Sequence, residues 1–286
     1  MLKTVETFQD FSFKKFTEPV VIVGGCKDMA AIQKWKDVRY MESFITKKVP
    51  VEVRMDKQDA RPKKRRVYMT VADMLDHMQK DTPPYYYLAE YSLSGRQRDD
   101  IRFSFDALRS DYLDNKLFLG YDSYTNAHFH GDADFLVNQV VGKKTFYLWN
   151  YHDNPQLWRS NFVWPLTKYN HIKGNFFKMD RSKLKVYKVV LHPGDSLAIP
   201  PWWFHAVHGH DWSITITTVY THRPFTHPML MVRHTVASIP TYKTQLSIIL
   251  LVVCFVSNNI YVKVTSLLLL VALLGLAIPH PDDTLA

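Results

Sequence analysis

Residues 127–149 read AHFHGDADFLVNQVVGKKTFYLW. The first half sets His128, His130, Asp132 and Asp134 on alternate positions, and alternate positions of a strand share one face. Four such groups are more metal-ligand chemistry than one face of a strand usually carries. The question is which of the four are ligands.

The sequence on either side has the same strand character. From about residue 85 come YYYLAEYSL, KLFLGYDSY, the 127–149 segment, KLKVYKVVL, DSLAIP and WSITITTVY. Short apolar or alternating runs are parted by Gly, Pro, Asn and Asp, the pattern of many short strands. The expected fold is mainly β, a sandwich or barrel, with helices mostly ahead of it. Thr70 and Asp73 form a capping-box pattern for a helix through Met78.

A metal site on one strand needs a further ligand from a distant one. LHPGDSLAIPPWWFHAVHGHDW (191–212) offers His192, His205, His208 and His210. Pro193-Gly194-Asp195 makes a turn that opens a strand ending at IPP. His205 follows Trp202 and Trp203, which read as packing residues, and His208 and His210 read as loop histidines. Two histidines and a carboxylate with open positions are the donor set of non-haem Fe(II) oxygenases.

Composition frames this without deciding it. The chain has 286 residues, 47% hydrophobic and 14% aromatic, and a net charge of +9. That is a globular composition with ample length for a core. The positive balance permits nucleic acid, anionic membranes or acidic substrates. Two cysteines, Cys26 and Cys254, exclude a disulfide framework. MLKTVETFQDFSFKKF lacks an apolar core, so no secretory leader is expected. RPKKRRV (61–67) has the composition of a nuclear localisation signal or a solvated loop.

The end of the chain changes character. LSIILLVVCFV (246–256) and IYVKVTSLLLLVALLGLAI (260–278) are apolar runs. The second approaches the length of a membrane-crossing helix. The expected layout is a domain over 1–235, a linker over 236–245, and a membrane-anchoring span or hairpin over 246–279. Arg233, His234 and Lys243 precede these runs and place the domain on the cytosolic side by the positive-inside rule. A nuclear location fits such a tail poorly.

GYDSYTNAHFHGDADFLVNQVVGKKTFYLW with VVLHPGDSLAIPPWWFHAV resembles the JmjC-type cupin proteins. These are Fe(II)- and 2-oxoglutarate-dependent oxygenases built on a double-stranded β-helix, or jelly roll. The similar branch includes the asparaginyl hydroxylase of hypoxia-inducible factor. EPVVIVGGCKDMAAIQKW also resembles that branch's opening, a strand leading into a Trp-containing helix. The likeness spans about residues 8 to 222.

The resemblance implies roles. His205 is one iron ligand. His128 is another, because Thr125 stands three residues before it as the family's threonine does. The ligand two further on is usually aspartate, and here it is His130. A second register instead makes His130 and Asp132 the His-x-Asp pair, with Asp132 in place of His128. Asp134 is left to support the ligands from outside. Lys144 matches the lysine that pairs with the distal carboxylate of 2-oxoglutarate, Thr125 would donate to it, and Tyr87 matches a nearby tyrosine. The implied activity is hydroxylation, with protein side chains the commonest substrates of such enzymes and nucleic acid also among them. A cupin without catalysis, binding metal or acting as a scaffold, is the alternative that His130 raises.

Overall fold

The computed structural model describes residues 2–5, 17–58, 65–102, 112–131, 133–157, 169–172, 174–220, 250–251, 256–257 and 259–275. Its strands are β1 (Lys3–Val5), β2 (Val20–Ile22), β3 (Val49–Arg54), β4 (Arg65–Met69), β5 (Tyr85–Ser92) and β6 (Tyr112–His130). They continue as β7 (Asp134–Asn150), β8 (Tyr169–His171), β9 (Tyr187–Leu191), β10 (Ser196–Ile199) and β11 (Trp203–Tyr220). The helices are α1 (Ala31–Lys34), α2 (Val71–Met78) and α3 (Ile260–Gly275).

The strands join in the order β1-β2-β10-β7-β11-β6-β5-β3-β4, with β8 added on β6 and β9 on β7. This mainly β architecture is consistent with the expected jelly roll. Its spine is β6, β11 and β7. Each is far longer than the short strands the sequence pattern implies: KLFLGYDSY and AHFH run together as β6, and WFHAVHGHDW runs into WSITITTVY as β11. Irregularities absorb the bends. The β11·β6 register shifts between His205 and Val207 and again between Gly209 and Trp212, and such bulges re-aim side chains without ending a strand. His208 and His210 therefore sit on β11 and not in a loop. His208 Nε2 meets Asp122 at 2.8 Å, and His210 meets the Thr145 hydroxyl at 2.8 Å.

Gly142 is where β7 bends. Its φ is +66°, and a Cβ there would lie 1.9 Å from the Trp212 carbonyl oxygen. Left-handed backbone strains an L-residue, and here the backbone of β11 also blocks it. Gly142→Ala should destabilise the domain by about 2–5 kcal/mol, read as a lowered urea midpoint.

The N-terminal elements close one side. β2 leads into α1, and Trp35 at its C-cap is fully buried with its indole N–H donating to Asp100 at 3.1 Å. Thr70 caps α2, accepting from the Asp73 N–H at 3.1 Å. Met74 and Leu75 of α2 pack with Trp35, Met41, Leu117 and Ile214 in the main core. Cys26 is buried against the carbonyls of Gln139 and Asp195, and burial pushes its thiol up to about 12. It is a packing residue. Trp202 and Trp203 are packing residues too: Trp202 stacks on Phe129 and Trp203 donates to the Thr17 carbonyl.

The chain divides into two units, residues 1–157 with 169–224, and residues 158–168 with 225–286. The first holds all eleven strands. In the second, α3 realises the second apolar run, with Ile260, Tyr261, Leu267, Leu268 and Leu269 exposed. Among the described residues no helix is long and apolar enough to cross a membrane. Residues 276–278, most of the 246–256 run, and 61–64 of the basic run lie outside the described residues; Arg65, Arg66 and Val67 belong to β4.

Candidate metal centre

Two strands bring the three histidines together. His128 and His130 share one face of β6, and the β11·β6 ladder sets His205 opposite His128. One nitrogen from each of the three lies within 4.8 Å of the others. Their rings are 4.3 Å (His128–His205), 5.1 Å (His128–His130) and 5.6 Å (His130–His205) apart.

Hydrogen bonds fix which nitrogen is offered. His128 Nδ1 lies 2.9 Å from the Asn126 carbonyl, and His205 Nδ1 lies 3.1 Å from the Trp203 carbonyl. A carbonyl only accepts, so each Nδ1 carries the proton and each Nε2 keeps its lone pair. Burial and mutual repulsion hold His128 and His130 well below the usual histidine range, and burial brings His205 down to about 4. The cluster is neutral at physiological pH, the state in which imidazole ligates. A set of three neutral nitrogen donors, His128 and His205 buried and His130 partly so, fits a divalent transition metal.

The triad opens into a cavity of about 220 Å³. Phe118, Phe135, Val137, Phe146, Ile199 and Val207 give it apolar walls. Lys144 enters the same cavity, 3% exposed. Gly209 is its cross-strand partner, and a Cβ there would come within 3.2 Å of Lys144 Cε, so the glycine leaves a lane for the side chain. The ammonium lies 5.7 Å from the centre of the Phe118 ring. Among the described residues it has no carboxylate partner, and burial lowers its pKa to about 7.

Thr125 and Tyr87 line the same space. The Tyr87 hydroxyl shares a hydrogen bond with Thr125, and burial raises its pKa, so it stays a protonated donor. Of the three adjacent tyrosines only Tyr87 lines the cavity: Tyr86 packs on His77, and Tyr85 lies beside Lys57. Asp132 lies outside the described residues. Asp134 does not line the cavity, whereas Phe135 and Val137 do. Period two along β7 thus places Asp134 off the cavity wall that Phe135 and Val137 form.

Some residues of the site carry no sequence signal. His171, on three-residue β8, lies 5.5 Å ring to ring from His128. Asn126 ties β6 to the 174–176 turn, donating to the Gly174 carbonyl and accepting from the Phe176 N–H. Glu52 and Arg54 form a buried ion pair at 2.8 Å, and Arg54 lies over the Tyr87 ring and also bonds the Tyr124 carbonyl.

The cupin-like domain model matches residues 6–226, most of the chain and all of this site. The chain belongs to the cupin-like domain family. The cupin-like domain thus carries a histidine cluster compatible with a metal ion such as iron. Among curated proteins no match is found.

Proposed function

We propose that the cupin-like domain is an Fe(II)- and 2-oxoglutarate-dependent oxygenase of the JmjC type, similar to the asparaginyl-hydroxylase branch, that hydroxylates protein side chains. JmjC-type domains of this family are often oxygenases. The observation that carries the reading is Lys144, a buried cation without an acidic partner among the described residues, in the same cavity as the triad.

A buried, unpaired ammonium is costly, and a dicarboxylate supplies the missing charge. Three neutral imidazoles neutralise none of a divalent ion's charge, so metal and lysine together favour a dianion. His128, His130 and His205 would hold the metal, with Asp132 the alternative to His128. Lys144 would pair with the distal carboxylate of 2-oxoglutarate while Thr125 and Tyr87 donate to it. Bound iron and 2-oxoglutarate supply the oxidising chemistry. The chain contributes placement, and its aromatic and aliphatic walls keep water from the reacting centre.

One feature favours a second reading. His130 stands where the family pattern has a carboxylate, and a three-histidine site also suits a metal-binding scaffold without turnover. The two differ in one assay. With Fe(II), a reductant and oxygen, the full chain should convert 2-oxoglutarate to succinate and carbon dioxide, and chelation should stop it. Metal binding without turnover overturns the oxygenase and favours the scaffold.

A further inference from the structure

A fourth histidine adjoins the three. His171 ends β8, which pairs antiparallel with β6 so that His171 faces His128 across the ladder. His205 faces His128 from the other side. Directly opposed residues of antiparallel strands present their side chains on one face. His205, His128 and His171 thus form a row across three strands, with His130 two residues along from its centre. The 5.5 Å between the His171 and His128 rings lies inside the range of ring separations within the triad, 4.3–5.6 Å. His171 lines the same cavity and is partly buried. It is not among the nitrogens already gathered within 4.8 Å, so it must turn to reach an ion held there.

We propose that His171 is a fourth, displaceable nitrogen donor to the metal. The proposal rests on reading His128, His130 and His205 as a metal site. Four imidazoles complete a tetrahedral set, which Zn²⁺ and Co²⁺ accept. On a six-coordinate ion they leave two positions, the number that a chelating 2-oxo acid occupies, and none for a further reactant. A donor that has to turn in is also one that turns out. His171 then covers the ion while the cavity holds no cosubstrate and yields when one binds. The exchange needs no proton transfer, because the ring leaves neutral while the chelator brings the negative charge that offsets the metal and Lys144.

Cobalt reads the coordination directly. The metal-free full chain is titrated with Co(II), without 2-oxoglutarate, in the wild type, in His171→Phe, which keeps a packed ring, and in His171→Asn, which keeps polarity. Circular dichroism confirms the fold of each. All three should bind one Co(II), the wild type at least roughly tenfold tighter, the least that even an outer-shell partner is worth. The wild-type ligand-field spectrum should differ from those of both variants. Added 2-oxoglutarate should bring the wild-type spectrum onto that of the variants with 2-oxoglutarate. Equal affinity and identical spectra in wild type and both variants would overturn His171 as a donor and leave the triad standing. A wild type that binds no cobalt overturns the triad reading as well.

Discussion

His205→Ala abolishes stoichiometric metal binding and, with it, 2-oxoglutarate turnover. The imidazole is buried at the meeting of β11 and β6, with Nδ1 held by the Trp203 carbonyl and the other nitrogen aimed toward those of His128 and His130. Outer-shell partners of a metal already contribute about 10- to 100-fold in affinity, so losing a ligand should exceed 100-fold, by roughly the same scale. The fold should persist, because β11 stays paired with β6 and β7 along its length. Calorimetric Fe(II) or Zn(II) titration and circular dichroism separate the two effects. A variant that folds and still binds metal with wild-type affinity contradicts the site. The same titration decides the register on β6: His128→Ala should lose the metal and Asp132→Ala should keep it. The reverse outcome installs the carboxylate and removes His128.

Lys144→Met should separate cosubstrate binding from metal binding. The variant keeps its metal, loses 2-oxoglutarate, and gains stability in the ligand-free protein near pH 7. The sign follows from proton linkage. Folding lowers the lysine's pKa from the ordinary 10.5 to about 7, so between these values the unfolded chain binds more protons than the folded one. The wild-type stability should therefore rise with pH from about 7 to about 10.5, by at most ~1.4 kcal/mol per pH unit from this group. It is full above the unfolded value and lost as pH falls through the folded one. Lys144→Met, nearly isosteric and uncharged, should flatten that slope. Saturating 2-oxoglutarate with metal should flatten it in the wild type as well, since a carboxylate partner keeps the lysine charged. Denaturant midpoints across the range read all three curves. An unchanged slope in the variant overturns the view of Lys144 as a buried, unpaired cation.

Much of this site was legible from residue spacing. Period two in AHFH put His128 and His130 on one face. The Pro193-Gly194-Asp195 turn announced β10. Side-chain patterning reports which face a residue occupies. It does not report whether the backbone ladder continues through a bulge, so β6 and β11 read as several short strands, and His208 and His210 as loop residues. The same limit hides Glu52 and Arg54: VEVR alternates like a half-exposed strand, yet both charged residues are buried because they pair with each other. His171 was invisible because a three-residue strand has no period, and its place is set by pairing with β6 alone.

Affinity for 2-oxoglutarate, measured anaerobically with and without Mn(II) in the wild type and Lys144→Met, tests the central claim most directly. The triad and the lysine are held to form two ends of one chelating socket. Wild-type binding should be strong only with metal, and the lysine variant should bind weakly in both conditions. Binding that depends on neither the metal nor Lys144 would contradict the account.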